Sequence, residues 1–162
     1  MMDVEVRPVL YLETTVISYL AAAPSRDLVV AAHQQATREW WATSRNRFRL
    51  VTSELVIREA EAGDPDASSR CLSLLADVEL LDLTDEIVRL AEEIVGLRIV
   101  PHSSVEDALH IAVAVVNGCH YLLTWNYRHM ANAVIRTRIE RFCREKGYEP
   151  PAICTPEELQ ED

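Results

Sequence analysis

The sequence predicts an α/β protein: a three-layer sandwich with a central parallel sheet of four or five strands. Two observations carry this reading. Short apolar runs alternate with helical patterns along the whole chain. No tight turn such as Asn-Gly joins two strand-like runs, so successive strands must be connected through helices and therefore run parallel. The 162 residues, 49% apolar and 26% charged, have an ordinary globular composition. A chain of this length buries roughly 70% of its unfolded surface. With no internal repeat, linker or low-complexity tract, residues 1–162 are expected to form a single domain.

Pro8-Val-Leu-Tyr-Leu12 reads as a buried first strand, with Thr14 or Thr15 capping a helix over Val16–Ala22. Pro24-Ser-Arg-Asp27 breaks the chain before a longer amphipathic helix that includes Leu28, Ala31, Ala32, Gln35 and Glu39, with Trp40 and Trp41. Phe48–Thr52 is the second strand, and Ser53 is a suitable cap for a helix over Glu54–Ala62. After a loop at Gly63 come a helix over Ala67–Ala76 and a third strand over Val78–Leu83. Thr84 opens a helix to about Arg98, whose residues Ile87, Leu90, Ala91 and Ile94 form a core-facing stripe. Pro101-His-Ser-Ser104 then leads into the most apolar helix of the chain, which begins near Ser104 and reaches Val116. Tyr121–Thr124 is a fourth strand, followed by a helix over roughly Arg128–Lys146 that Gly147 stops. Pro150–Cys154 adds an edge strand, and Thr155-Pro156 opens a short final helix.

Several chemistries are excluded by what the chain lacks. It holds one lysine, Lys146, and four glycines, none close to another, so neither GxxxxGK nor GxGxxG can be assembled. A phospho-receiver would need a lysine at the end of a late strand, and Lys146 is badly placed for it. The four cysteines show no CxxC spacing, which argues against a zinc site and suits a reducing compartment. No signal-like amino terminus is present, and no apolar run approaches the roughly 20 residues that span a bilayer, so a cytoplasmic protein with no membrane contact is expected. The net charge of −10 speaks against a general nucleic-acid coat but not against a local basic groove. Arginines gather at Arg45, Arg47 and Arg49 and again at Arg136, Arg138, Arg141 and Arg144; solvated helix faces are the simpler account of both groups.

Ligands of parallel α/β sheets sit beyond the carboxyl ends of the strands. Glu13 follows the first strand there, Asp107 lies in the opening turn of the apolar helix, and Thr124-Trp125-Asn126 ends the fourth strand. Glu59, between apolar neighbours on the helix after the second strand, is the further candidate. Carboxylates gathered on one rim repel each other unless a cation intervenes, and an oxygen-rich donor set points to Mg²⁺ or Mn²⁺. Each residue also has a structural account. Asp107 suits the positive end of a helix, Glu13 and Glu59 suit helix ends, and Asn126 suits a cap. Ser103 and Glu106 could supply a capping box without Asp107. His110, one turn after Asp107, reads as a half-buried neighbour of the site, with His129 and Trp125 in its wall. Glu54 is explained by an i,i+4 pair with Arg58.

At Tyr11-Leu-Glu-Thr-Thr-Val-Ile-Ser18, Thr52-Ser-Glu-Leu-Val-Ile-Arg-Glu59, Asp107-Ala-Leu-His-Ile-Ala112 and Leu123-Thr-Trp-Asn-Tyr-Arg-His129 the chain resembles the PIN-domain family. The resemblance is to the VapC-like toxins of toxin–antitoxin modules in particular. It implies a small parallel α/β sandwich with an acidic pocket that binds Mg²⁺ or Mn²⁺ and cleaves single-stranded RNA. It implies that Glu13, Glu59 and Asp107 are metal ligands, that Asn126 stands at the last acidic position, and that Thr14 helps orient the site; His110 and Thr124, from their places on the helix and at the strand end, are the further supporting residues. An antitoxin protein is the implied partner, and a homodimer is common among such proteins. The family's first acid is usually Asp and its last often Asp; here they are Glu13 and Asn126. Those two departures keep a second reading open, a degenerate PIN-like binding module without catalysis.

Overall fold

The computed structural model describes residues 6–161, and its centre is a five-stranded, wholly parallel sheet. The strands are β1 (Val9–Leu12), β2 (Arg49–Ser53), β3 (Glu79–Leu81), β4 (Tyr121–Leu123) and β5 (Ala152–Cys154), in the order β3-β2-β1-β4-β5. The helices are α1 (Thr14–Ala21), α2 (Leu28–Thr43), α3 (Glu54–Glu61), α4 (Pro65–Leu75), α5 (Asp85–Gly96), α6 (Val105–Val116) and α7 (Ala133–Glu145). The chain winds outward from β1 to β3, then returns to place β4 on the other side of β1. Connections running in those two directions distribute the helices over both faces of the sheet. Accordingly α1 packs with α2, α3 and α4, while α5 lies along α6.

Burial explains why the central strands carry no polar alternation. Leu10, Tyr11 and Leu12 in β1, and Leu122 and Leu123 in β4, are fully buried. A strand covered by helices on both faces needs apolar residues at every position. Helix α6 is enclosed in the same way: Ala108, Ile111, Ala112, Val113 and Ala114 are all fully buried. Its small alanines let it sit close to its neighbours; of its three polar residues Glu106 is exposed, while Asp107 and His110 stand at the carboxyl rim of the sheet.

The predicted elements are present, with differences at several ends. Helix α1 is capped by Glu13, whose side chain accepts from the Thr15 amide at 3.1 Å, and not by a threonine. Helix α4 begins two residues early, because Asp64 caps it and Pro65 fits its first turn. Helix α6 starts after Ser104 without any side-chain cap, so the expected box of Ser103 with Glu106 does not form. Helix α7 begins at Ala133 rather than Arg128, since Asn132 caps it and residues 124–132 are diverted into a site loop. The segment after Thr155 makes a turn and no further helix. All four cysteines are buried and unpaired. Among the described residues, no helix is long and apolar enough to cross a membrane.

Candidate active site

The strand order creates a crevice at the carboxyl ends of β1 and β4, where successive connections depart in opposite directions. Such a switch point is the usual ligand position in an open α/β sheet. Glu13 stands at the first residue beyond β1, and its backbone amide still bonds the Leu123 carbonyl of β4 at 3.2 Å. Its side chain is buried, at 4% exposure. Oε2 accepts from the Thr15 hydroxyl at 2.5 Å, the Thr15 amide at 3.1 Å and the Thr124 hydroxyl at 2.8 Å. Oε1 accepts no hydrogen bond from the described residues and faces Nε2 of His110 at 4.0 Å. Three donors thus fix the carboxylate's direction and leave one oxygen available to the crevice.

His110 meets Glu59 at its Nε2, 2.7 Å from Oε1, and meets the Tyr11 hydroxyl at its Nδ1, 2.7 Å away. The Tyr11 hydroxyl in turn lies 2.8 Å from Ser53 Oγ. A run of hydrogen bonds therefore crosses from β2 through β1 to α6 and ends on the Glu59 carboxylate of α3. Glu13, Glu59 and His110 offer ligand atoms all within 4.8 Å of one another. Burial opposes protonation of His110, but the Glu59 hydrogen bond and the charges of Glu13, Glu59 and Asp107 outweigh it and raise its pKa. The reciprocal holds for Glu59: burial favours its neutral form, yet the His110 bond and charge win and lower its pKa. Tyr11 is pushed strongly upward by burial and stays a neutral phenol.

Asp107 lies beside this triangle and is held differently. Its Oδ2 is 2.7 Å from His129 Nδ1, and its Oδ1 accepts from the Asn126 amide at 3.1 Å. Asn126 uses its own Oδ1 to accept the Arg128 and His129 amides, at 3.2 and 3.0 Å. It therefore both turns the chain after β4 and braces Asp107. His129 is also approached at Nδ1 by the Ser104 hydroxyl, at 3.2 Å. The expected candidates thus fall into two adjoining groups: Glu13, Glu59 and His110 in one, Asp107 with Asn126 and His129 in the other. Their closeness shows in His110, which feels the Asp107 charge. Thr14, expected to orient the site, has a buried hydroxyl near enough to Glu59 to favour its ionised form but without hydrogen-bonding geometry to any described residue. Glu54 pairs with Arg58 at 3.5 Å, as its spacing suggested.

Three contributors are not visible as site residues in the sequence. Thr15 bridges Glu13 to the Trp125 amide, to which its hydroxyl is 2.9 Å away. Tyr11 and Ser53 orient His110 from two neighbouring strands. The only available sequence signal was their position at strand ends inside the matched motifs. Trp125 stacks on His33 with centroids 4.2 Å apart and donates to Thr37 at 2.7 Å, forming the wall on the α2 side. No thiol competes as a nucleophile, since burial pushes Cys119 and Cys154 up to about 12.

The donor chemistry suits a divalent cation. A buried and a partly buried carboxylate converge, Glu13 Oε1 has no donor among the described residues, and the Thr14 hydroxyl is orphaned beside Glu59. An unsatisfied buried hydroxyl and a vacant carboxylate lone pair on one crevice are groups that an oxygen-seeking ion and its waters satisfy.

This fold is that of the PIN domain. The chain is similar to VapBC2 from Rickettsia felis, solved bound to a DNA fragment from its promoter, with a TM-score of 0.58 and 12% identity over 91% of this chain and 98% of that one. It is similar also to VapC20 of Mycobacterium tuberculosis, a sarcin–ricin-loop-cleaving toxin, with a TM-score of 0.58 and 18% identity over 74% of this chain and 92% of that one. No protein-family model matches the sequence, and no curated protein matches it.

Proposed function

We propose that the protein is a Mg²⁺- or Mn²⁺-dependent endoribonuclease acting on single-stranded RNA, the toxin of a toxin–antitoxin pair. The observation that carries this reading is the convergence of Glu13 and Glu59 at the switch point of a PIN fold, with Asp107 braced beside them. Glu13, Glu59 and Asp107 are the proposed ligands. A bound divalent cation would supply Lewis-acid activation of the scissile phosphate and of an attacking water. The chain's own residues prepare that chemistry. Thr15 and Thr124 fix the Glu13 carboxylate so that its free oxygen faces the crevice. Tyr11 holds the His110 ring, which positions Glu59. Asn126 holds Asp107 and, carrying no charge, positions it without adding repulsion. A location in the cytoplasm, an antitoxin partner and a single domain over residues 1–162 belong to the same proposal.

The test is Asp107→Asn, which keeps the shape and removes the charge. Losing one ligand charge from a site that stabilises several kcal/mol of transition-state charge should cost about 100-fold or more in Mn²⁺-dependent RNA cleavage. Wild-type rates in that variant would sink the assignment. One observation favours a second reading, a non-catalytic PIN-like binding module: His110 lies within 4.0 Å of both glutamates, whose charges raise its pKa, so its protonated form would offset them without a metal. Calorimetry with Mn²⁺ separates the two, because a chain with no affinity for the ion cannot be the proposed enzyme.

A further inference from the structure

The arginines of this acidic protein are not spread evenly in their pairing. Arg136, Arg141 and Arg144 of α7 are matched by Glu158, Glu145 and Glu140, at 3.1, 3.1 and 3.8 Å. Arg47 and Arg49 are matched by Glu161 and Glu79, both within 2.8 Å. Nine arginines have no acidic partner among the described residues, and Arg98, Arg128 and Arg138 are the three of these that gather at one pocket. These three come from separate segments: the turn after α5, the site loop after β4 and the second turn of α7. They line one pocket of about 560 Å³, together with His102 and His129 and over a floor that includes Ile135. The sequence grouped Arg138 with its paired neighbours; the fold separates it from them.

The pocket adjoins the candidate active site through a shared residue. His129 lines it and holds Asp107 at 2.7 Å. A set of unpaired guanidinium groups within a chain of net charge −10 is a local positive field in a negative one. Planar guanidinium forks match phosphate oxygens, and the apolar floor suits a ribose or base edge. We infer that the pocket lined by Arg98, Arg128 and Arg138 binds the phosphate backbone of the single-stranded RNA next to the bond presented to Glu13, Glu59 and Asp107. This rests on the ribonuclease reading and adds to it where the substrate strand runs: across the α5–α7 side of the crevice, past His129. The acidic site by itself repels a polyanion, so a neighbouring cationic pocket resolves how an acidic protein could hold one.

The experiment measures binding rather than turnover. Fluorescence anisotropy with an unstructured ten-nucleotide RNA, in EDTA and over a salt series, compares the wild type with an Arg98→Ala, Arg128→Ala, Arg138→Ala triple variant. Loss of three phosphate contacts should weaken binding about tenfold or more and lower the slope of log affinity against log salt by about 2. Mn²⁺ calorimetry on the same variant should match the wild type, since none of the three is a proposed ligand. Should the triple variant fail to fold, Arg128→Glu and Arg138→Glu singly, both on exposed side chains, carry the same expectation. Unchanged RNA affinity and salt slope overturn the pocket assignment, and they do so even where Mn²⁺-dependent cleavage persists and the ribonuclease reading stands. A variant that loses affinity for an oligoglutamate peptide while keeping its RNA affinity overturns it in favour of an acidic protein segment. A wild type that cleaves no RNA and binds none brings down both readings together.

Discussion

His110 is the residue on which the site's electrostatics turn. It is 1% exposed, yet both ring nitrogens have partners. Removing the Tyr11 hydroxyl leaves the His110 ring nitrogen and Ser53 to find new partners in a dry setting. Tyr11→Phe should therefore destabilise the fold by about 1–3 kcal/mol in urea titrations; an unchanged midpoint would show the bond to be dispensable. The pH dependence of the metal-free protein follows from the same pair. The pKa of His110 is raised above 6.5, so its contribution is fully present below 6.5 and lost as pH rises through the folded value. The pKa of Glu59 is lowered below 4.5, so its contribution is present above 4.5 and lost as pH falls through the folded value. Stability in EDTA should thus be greatest between about 4.5 and 6.5, as far as this pair governs it, and Glu59→Gln should flatten both flanks. A thermal-melt series across pH that is identical for wild type and variant would refute it.

At the scale of elements, the helix ends decide how the site is presented. Helix α2 supplies the His33 and Thr37 side of the Trp125 wall, and its amino end is held by Asp27, which accepts from the Val29 and Val30 amides at 3.0 Å. Asp27→Ala should cost about 1 kcal/mol of stability, measured by denaturant unfolding, with Mn²⁺ affinity unaffected. Helix α6 is the opposite case. It begins without a side-chain cap because the Ser104 hydroxyl, at the capping position, is directed to His129 instead. A conventional cap is given up at the helix that carries Asp107 and His110, and the hydroxyl is used to brace the site. Late onset of α7 has the same origin, since the Asn126 turn and the Asp107 brace need the residues that a longer helix would have consumed.

Across the whole molecule, the sheet and α6 form one apolar body whose rim holds the polar groups. Ile111, fully buried one residue after His110, ties that rim to the core. Ile111→Ala should destabilise by about 2–5 kcal/mol, depending on how far the cavity collapses. It should also weaken Mn²⁺ binding, through the His110 ring that α6 carries; a large loss of stability with full metal affinity would separate core from site.

Much of this architecture was legible in the chain. Unbroken apolar runs such as Val9–Leu12 and the strand–helix alternation determine a parallel sheet covered on both faces, because nothing else buries such strands. Glu13, Glu59, Asp107 and Asn126 could be picked out because they follow strands or sit on the helices after them, at the end of a parallel sheet where ligands bind. Their grouping could not be read. Partners such as His110 and Glu59, or His129 and Asp107, lie 51 and 22 residues apart, and which pairs meet depends on strand order and helix rotation. The sequence alone thus determined the kind of fold and the pool of acidic candidates, through local pattern and composition. Only the tertiary structure decided that His110 sits between Glu13 and Glu59, that Asp107 is braced apart by His129 and Asn126, and which arginines go unpaired, because each is set by packing between distant segments.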